Sequence, residues 1–172
     1  LSADAVPERR LRRRRAAIGP FSRMLALLRF VSLVLVALSL VPAGAHVLEL
    51  PHKLAMSADE YRVVQTIYRG WALAGIPILG SIVSTLGLAL ALRRRRASYG
   101  LPVVACLAMV AGQAIFWTFT FPVNTATTNW TVMPADWMTL RARWEGSHVA
   151  GAALTLAAFL ALVAEAVRAA RS

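Results

Sequence analysis

The stretch GWALAGIPILGSIVSTLGLALALRRRR, residues 70–96, is an apolar run of membrane length that ends at four consecutive arginines. A helix needs about 20 apolar residues to cross roughly 30 Å of hydrocarbon. Its backbone amides must be satisfied internally in lipid, which favours helices over strands. Similar apolar runs lie on both sides of this one. We therefore predict an all-α, integral membrane four-helix bundle, with spans at about residues 30–48, 70–92, 101–123 and 149–164.

The arginines predict the orientation of the four spans, because Lys and Arg accumulate in short cytoplasmic segments beside membrane spans. They concentrate before the first span, between the second and third, and after the fourth, and these segments share one side of a four-span protein. The connections 49–69 and 124–148 mix acidic and basic residues instead. Both termini are therefore predicted to be cytoplasmic, with the two longer connections outside. The composition, rich in Ala and Arg, favours a bacterial cytoplasmic membrane.

Domain organisation follows from the same pattern. Residues 1–23 are predicted to be a basic, disordered cytoplasmic tail, since they have too few apolar residues to form a core. Residues 24–172 form the four-span transmembrane domain. The formal net charge of +11 is explained by topology and by attraction to anionic lipid headgroups, so no nucleic-acid partner is expected. The expected partners are membrane lipids, a small lipophilic substrate, and either a second copy of the chain or a membrane partner subunit.

A different interpretation of the first span is that it is a secretory signal. Ala43-Gly44-Ala45 resembles a small-residue cleavage site. Cleavage after Ala45 would leave three spans and a mature N-terminus at His46, which could ligate copper through its own amine. The apolar run is long for a signal, and four spans keep every arginine cluster on one side, so we favour retention of the first span.

Local signals mark helix ends within the first outer connection. Ser57 followed by Glu60 is the pattern of a capping box, which predicts that the second helix begins near Ala58. Pro51 predicts that the first helix ends or bends there, and Pro77 predicts a kink in the second span.

Ionisable side chains that could carry chemistry gather at the outer ends of the spans. Glu49-x-x-His52 and Glu145-x-x-His148 each place a carboxylate and an imidazole on one helical face, as in helix bundles that hold paired iron or manganese ions. His46 would extend the first face backwards. The candidate metal ligands are therefore His148, Glu145, His52, Glu49 and His46, with iron or copper as the metal. Two histidines could instead ligate one haem, or the site could work without a cofactor.

Two further patterns concern packing. Trp130, Trp137 and Trp144 recur at seven-residue spacing. This spacing favours an interfacial aromatic belt along one helical face, at least for the first two. Near the inner end of the fourth span, Glu165 is expected to pair with Arg168, three residues later.

Four segments of the second half resemble the anthrone oxygenase-like family of small four-span membrane proteins: FWT at 116–118, FPVN at 121–124, PADW at 134–137 and RWEGSH at 143–148. Eukaryotic relatives in that family include enzymes that oxidise polyketide anthrones to anthraquinones, whereas most bacterial members have no assigned role. The resemblance implies the four-span fold. Asn124, Trp144 and His148 are the positions that best match the family pattern.

The resemblance and the residues together lead us to expect a membrane oxidoreductase or oxygenase-like protein. Its substrate would be small, lipophilic and aromatic or quinone-like, bound in a pocket near the outer face. His148 could remove an acidic C–H proton, Asn124 could donate to the developing oxyanion, and Trp144 could stack on a flat ring. The alternative is a non-catalytic membrane subunit or lipid-binding scaffold, whose outer polar cluster only fastens loops.

Overall fold

The computed structural model describes residues 20–171, and between Pro20 and Arg171 it is helical with no strand. Most of the predicted tail lies outside the described residues. Its last part, residues 20–23, already belongs to the first helix. In chain order the elements are α1 (Pro20–Ala55), α2 (Ala58–Val64), two 3₁₀ turns (Gln65–Tyr68 and Trp71–Ala74), α3 (Gly75–Arg94), α4 (Gly100–Ile115), a π-helical turn (Phe116–Thr120), α5 (Phe121–Ala126) and α6 (Trp137–Arg171).

Within these described residues, four helical stretches are long and apolar enough to cross a membrane, which confirms the all-α four-helix prediction. They are Phe21–Ala55, Trp71–Arg94, Gly100–Ala126 and Trp137–Arg171. Each stretch reaches beyond the span predicted for it. The additional residues lie beyond the ends of the apolar runs and include the polar residues discussed below.

The four long helices form a closed ring, in which α1 packs against α3 and α6, and α4 packs against the same two helices. Leu88 and Ala158 are among the fully buried residues of the shared core. At Gly80 a Cβ atom would lie 3.1 Å from a methyl group of Leu35, so the missing side chain lets α3 approach α1 closely. The outer faces carry many exposed apolar side chains, such as Leu48, as expected for contact with lipid.

Pro51 and Pro77 both lie within helices. α1 does not end at Pro51 but continues to Ala55, because one missing N–H is tolerated in a helix that is packed against its neighbours. Pro77 lies in the first turn of α3, where an N–H needs no partner within the helix. The interruption of the second span therefore falls earlier, between the two 3₁₀ turns, where Gly70 adopts a left-handed φ of 87°.

α2 begins at Ala58, as the capping box predicts. The carboxylate of Glu60 accepts hydrogen bonds from the backbone N–H and the hydroxyl of Ser57, at 2.8 Å and 2.7 Å. The start of α2 determines which side chains of the following segment point into the bundle. Tyr61 is fully buried, and Tyr68, which is half-buried, packs against the same cluster of buried side chains.

The aromatic belt is wrong for Trp130. Its side chain is only 3% exposed and packs edge-on against Tyr61, with ring centroids 4.9 Å apart. The residue lies in a turn, not on a helix, because Thr128, Asn129 and Trp130 all adopt left-handed φ angles of 48° to 62°. Trp137 begins α6 and packs against the same buried group. The seven-residue spacing therefore does not correspond to one helical face.

Glu165 pairs with Arg29 of α1, and not with its neighbour Arg168 as expected. The Nε atom of Arg29 lies 3.0 Å from both carboxylate oxygens, and its Nη2 atom lies 2.8 Å from Oε1. Glu165 is 6% exposed. The ion pair therefore fastens the first long helix to the last at one end of the bundle.

Glu165→Ala should lower the free energy of unfolding by about 2–3 kcal/mol, because it removes charged hydrogen bonds from a buried site. The loss stays below that of a fully enclosed pair, since the side chain of Arg29 is 26% exposed and can reach water. Equilibrium unfolding in mixed detergent micelles measures the change. Arg168→Ala is the matched control, with an expected effect within about 0.5 kcal/mol. Equal losses in the two variants would contradict the observed pairing.

Candidate functional site

The opposite end of the bundle holds a buried polar group around the side chain of Lys53, which is 1% exposed. Its Nζ atom lies 3.1 Å from Glu49 Oε2, 3.4 Å from Glu145 Oε1 and 3.4 Å from His46 Nδ1. An ammonium has three N–H donors, and three possible acceptors lie within 3.4 Å of this one. We call these four residues, together with His148, the histidine–lysine cluster.

Two tyrosines from the segment after α1 hold the carboxylates. The Tyr61 hydroxyl donates to Glu145 Oε1 at 2.9 Å, and the Tyr68 hydroxyl donates to Glu49 Oε2. Burial raises the pKa of both hydroxyls well above the usual tyrosine range, and the carboxylates beside them raise it further. Both tyrosines therefore remain protonated donors. The second oxygen of Glu145 is buried and has no hydrogen-bond partner among residues 20–171.

The rings of the two histidines of the cluster contact each other with their planes tilted by 48°. The rings of His46, from α1, and His148, from α6, have centroids 4.0 Å apart. Trp144 lies against both rings, at 3.9 Å from His148 and 5.1 Å from His46. Tyr68 and Trp71 pack against His46 at 4.8 Å and 5.5 Å. The imidazoles thus sit within an aromatic environment, with His46 buried and His148 half-buried.

Six of the seven site residues predicted from the sequence meet at this end of the bundle: His46, Glu49, Asn124, Trp144, Glu145 and His148. Asn124 Oδ1 accepts a hydrogen bond from Trp144 Nε1 at 2.7 Å, so its NH₂ group is the part left to donate. The chemical roles assigned to these residues stay predictions.

His52 is the seventh, and it is exposed at the surface. In a continuous helix His46, Glu49 and Lys53 lie on one face, whereas His52 is turned by about 100° from Lys53. The motif Glu49-x-x-His52 therefore does not act as a pair. The lysine one position later takes the place expected for the histidine.

Sequence reasoning missed Lys53, Tyr61, Tyr68 and Trp71 as members of the site. Lys53 contributed only to the charge count of the connection 49–69. A usable signal was present, because His46, Glu49 and Lys53 follow the i, i+3, i+7 spacing of one helical face. That signal becomes visible only if α1 continues past Pro51.

The cluster does not fit a metal ion or a haem. The ammonium of Lys53 already occupies the position between both carboxylates and His46, where a cation shared by them would lie, and like charges repel. Across residues 20–171, no three His, Cys, Asp or Glu side chains converge as metal ligands. A haem between His46 and His148 would need iron–nitrogen bonds of about 2 Å on each of its faces. Ring centroids 4.0 Å apart leave no space for that macrocycle.

No protein-family model, curated protein or solved structure matches this chain.

Proposed function

We propose that the protein is an integral membrane oxidoreductase of the oxygenase-like kind, which uses dioxygen to oxidise a small lipophilic aromatic substrate. The observation that carries the proposal is the contact of the His46 and His148 rings with each other and with Trp144. A neutral imidazole offers a lone pair that can accept a proton, and the indole offers a flat surface for an aromatic ring. The resemblance of residues 116–148 to the anthrone oxygenase-like family supports the same chemistry.

His148 is the base in this proposal. Its Nδ1 atom lies 2.8 Å from the backbone carbonyl oxygen of Trp144. A carbonyl can only accept, so Nδ1 carries the proton and Nε2 carries the lone pair. That lone pair is what a general base needs to remove an acidic C–H proton. Asn124, with its NH₂ group left to donate, would stabilise the oxyanion that develops.

The proposed reaction starts when His148 Nε2 takes one proton from a CH₂ group that lies between two aromatic rings and is conjugated to a carbonyl. The carbanion gives one electron to dioxygen, and the resulting substrate radical and superoxide combine to form a C–O bond. The peroxide anion takes the proton back from His148. The hydroperoxide then loses water: its remaining C–H bond and its O–O bond break, and a new carbonyl forms. In total, CH₂ and O₂ become C=O and H₂O.

Substrate would enter from the lipid, between helices. Tyr68 and Trp71 cover His46 from the two 3₁₀ turns on either side of Gly70. Such short turns have weaker hydrogen bonding than an α-helix, and stability is lowest in segments of this kind. In the proposal this segment moves aside to admit the substrate onto Trp144.

Purified protein in mild detergent, supplied with a hydroxylated anthrone, should consume one dioxygen for each quinone formed, faster than the spontaneous oxidation. With ¹⁸O₂, the new carbonyl should carry the label. An oxygen electrode and mass spectrometry measure both quantities. A rate equal to that of protein-free micelles would contradict the proposed function.

We also propose that the cluster faces the outside of a bacterial cytoplasmic membrane and that both termini are cytoplasmic. The arginines support this orientation. Arg95 lies over the ring of Phe21 at 4.0 Å, so the cluster Arg93 to Arg96 sits beside the start of α1, at the end of the bundle away from Lys53. Basic segments on one side are typical of the cytoplasmic face.

Cysteine labelling in intact cells should reveal this orientation. After Cys106→Ala, a membrane-impermeant maleimide should modify Ala135→Cys, before α6, but not Ser98→Cys, between α3 and α4. Both positions are exposed, so lack of reaction reports the side of the membrane. Disrupted cells are the control and should label both. The reverse pattern in intact cells would show the opposite topology.

A second candidate is a non-catalytic membrane subunit or lipid-binding scaffold, and the contacts between α1 and α6 in the cluster favour it. The ammonium of Lys53 in α1 forms an ion pair with Glu145 of α6 at 3.4 Å. Arg141 of α6 also donates to the backbone carbonyls of Lys53 and Met56, at 3.0 Å and 3.1 Å. In this case the cluster only joins α1 to α6. The wild-type protein would consume no dioxygen, and substitutions in the cluster would change only its stability.

A further inference from the structure

We infer that Lys53 is a positioning residue that holds His46 in the tautomer opposite to that of His148. The pair of histidines then presents one N–H donor and one lone pair. The catalytic meaning of this inference rests on the proposed function. The tautomers themselves rest only on the geometry of the cluster.

The first step concerns the protonation of Lys53. Glu49 Oε2 and Glu145 Oε1 lie 3.1 Å and 3.4 Å from its amino group, so two carboxylates stabilise the charged ammonium. An ammonium can donate but cannot accept. Because His46 Nδ1, at 3.4 Å, is its third neighbour, that nitrogen must accept. The proton of the neutral His46 ring is therefore on Nε2.

His148 has the reverse arrangement. Its Nδ1 atom faces the carbonyl of Trp144 at 2.8 Å and must donate, which leaves the lone pair on Nε2. Two residues of the same type, with ring centroids 4.0 Å apart, are therefore chemically different. In the proposed reaction His148 removes the proton, and the Nε2–H of His46 donates to the oxygen on which negative charge develops.

The burial of Lys53 indicates a role beyond filling space between the helices. Burial of an ammonium that is 1% exposed at the end of membrane helices has a large desolvation cost, which its partners only offset. A methionine would fill a similar volume without that cost. The Nζ atom of Lys53 also lies 4.6 Å from the ring centroid of Tyr68 and 5.2 Å from that of Trp144. The charge is therefore surrounded by the groups that line the histidines.

¹⁵N NMR of protein labelled in its histidine rings tests the tautomers directly. In wild-type protein His46 should show the Nε2–H tautomer and His148 the Nδ1–H tautomer. His46→Gln and His148→Gln assign the two sets of signals, and the exposed His52 supplies a third set for comparison. A proton on Nδ1 of His46, or the same tautomer for both residues, would overturn the inference.

Variants then test Lys53 itself. Lys53→Met should leave His46 in a mixture of tautomers and His148 unchanged, and should lower kcat of the proposed oxidation by on the order of 10²-fold with little change in KM. Since this variant leaves Glu145 buried without its cation, the double variant with Glu145→Gln is also measured, against Glu145→Gln alone. In Lys53→Ala, added methylammonium should restore the Nε2–H signal of His46. A His46 spectrum that is the same with and without Lys53 would refute the positioning role.

The two proposals can fail separately. Suppose that the two histidines have opposite tautomers that depend on Lys53, and that the protein consumes no dioxygen. This result would support the inference and contradict the proposed function. Dioxygen consumption by protein whose two histidines share one tautomer would contradict the inference alone.

Discussion

His148→Gln should lower kcat for dioxygen-dependent oxidation of a hydroxylated anthrone by about 10²–10⁴-fold, the range that one general base contributes. Glutamine keeps a similar length and can donate to the Trp144 carbonyl, as Nδ1 of His148 does. It has no basic nitrogen. KM should change little, because Trp144 and His46 remain to contact the substrate.

An oxygen electrode at saturating substrate measures the loss. His52→Gln is the matched control, because His52 is exposed and outside the cluster, and it should retain the wild-type rate. Thermal unfolding of both variants checks that they are folded. A wild-type rate in His148→Gln would exclude His148 as the base. Equal loss in His52→Gln would point to a cause outside the cluster.

Glu145→Leu should lower the free energy of unfolding by about 3–5 kcal/mol, the usual result of removing one partner from a buried ion pair. The carboxylate is 2% exposed and lies 3.4 Å from a lysine that is 1% exposed. After the substitution Lys53 keeps Glu49 and His46 but loses its buried countercharge. The hydroxyl of Tyr61 also loses its acceptor.

The double variant Lys53→Met with Glu145→Leu should recover at least about 2 kcal/mol of that loss, because it removes the buried charge that Glu145→Leu leaves behind. Equilibrium unfolding in mixed micelles measures all variants. Asp59→Asn provides an exposed control. Its ion pair with Arg62, at 3.7 Å, lies at the surface and should contribute little. Strictly additive losses for Lys53→Met and Glu145→Leu would show that the two side chains are not coupled.

The fold followed from signals that are local in the sequence. Apolar runs of membrane length predict four helices whatever their neighbours are. The capping box of Ser57 and Glu60 predicts the start of α2, because all its hydrogen bonds lie within four residues. The sequence could not show that α1 continues past Pro51, because the effect of a proline depends on the surrounding helices, which only the assembled bundle supplies.

The candidate site was predictable where the residue type itself is unusual for a membrane segment. His46, Glu145 and His148 attract notice as ionisable groups at the ends of apolar runs. Lys53 did not, because a lysine in a loop is ordinary. It became a buried centre only when α1 extended by another turn and α6 brought Glu145 to it.

Partners distant in the sequence were the least predictable. The neighbour Arg168 was the obvious partner of Glu165, yet Arg29, 136 residues away, takes that place. Trp130 similarly followed a helical spacing, but a left-handed turn directs it against Tyr61. In both cases packing between elements outweighs the local pattern.

The placement of the two buried ion pairs has a consequence for the biogenesis of the protein. Arg29 and Lys53 lie in α1, whereas Glu165 and Glu145 lie in α6, so neither interhelical pair can form until the ribosome has synthesised the fourth span. Arg29 directly precedes the apolar run 30–48 and Lys53 follows it, so water and headgroups can solvate both during insertion. Insertion of the first span and enclosure of its charges are therefore separate events, and the second must wait for α6 to join the bundle.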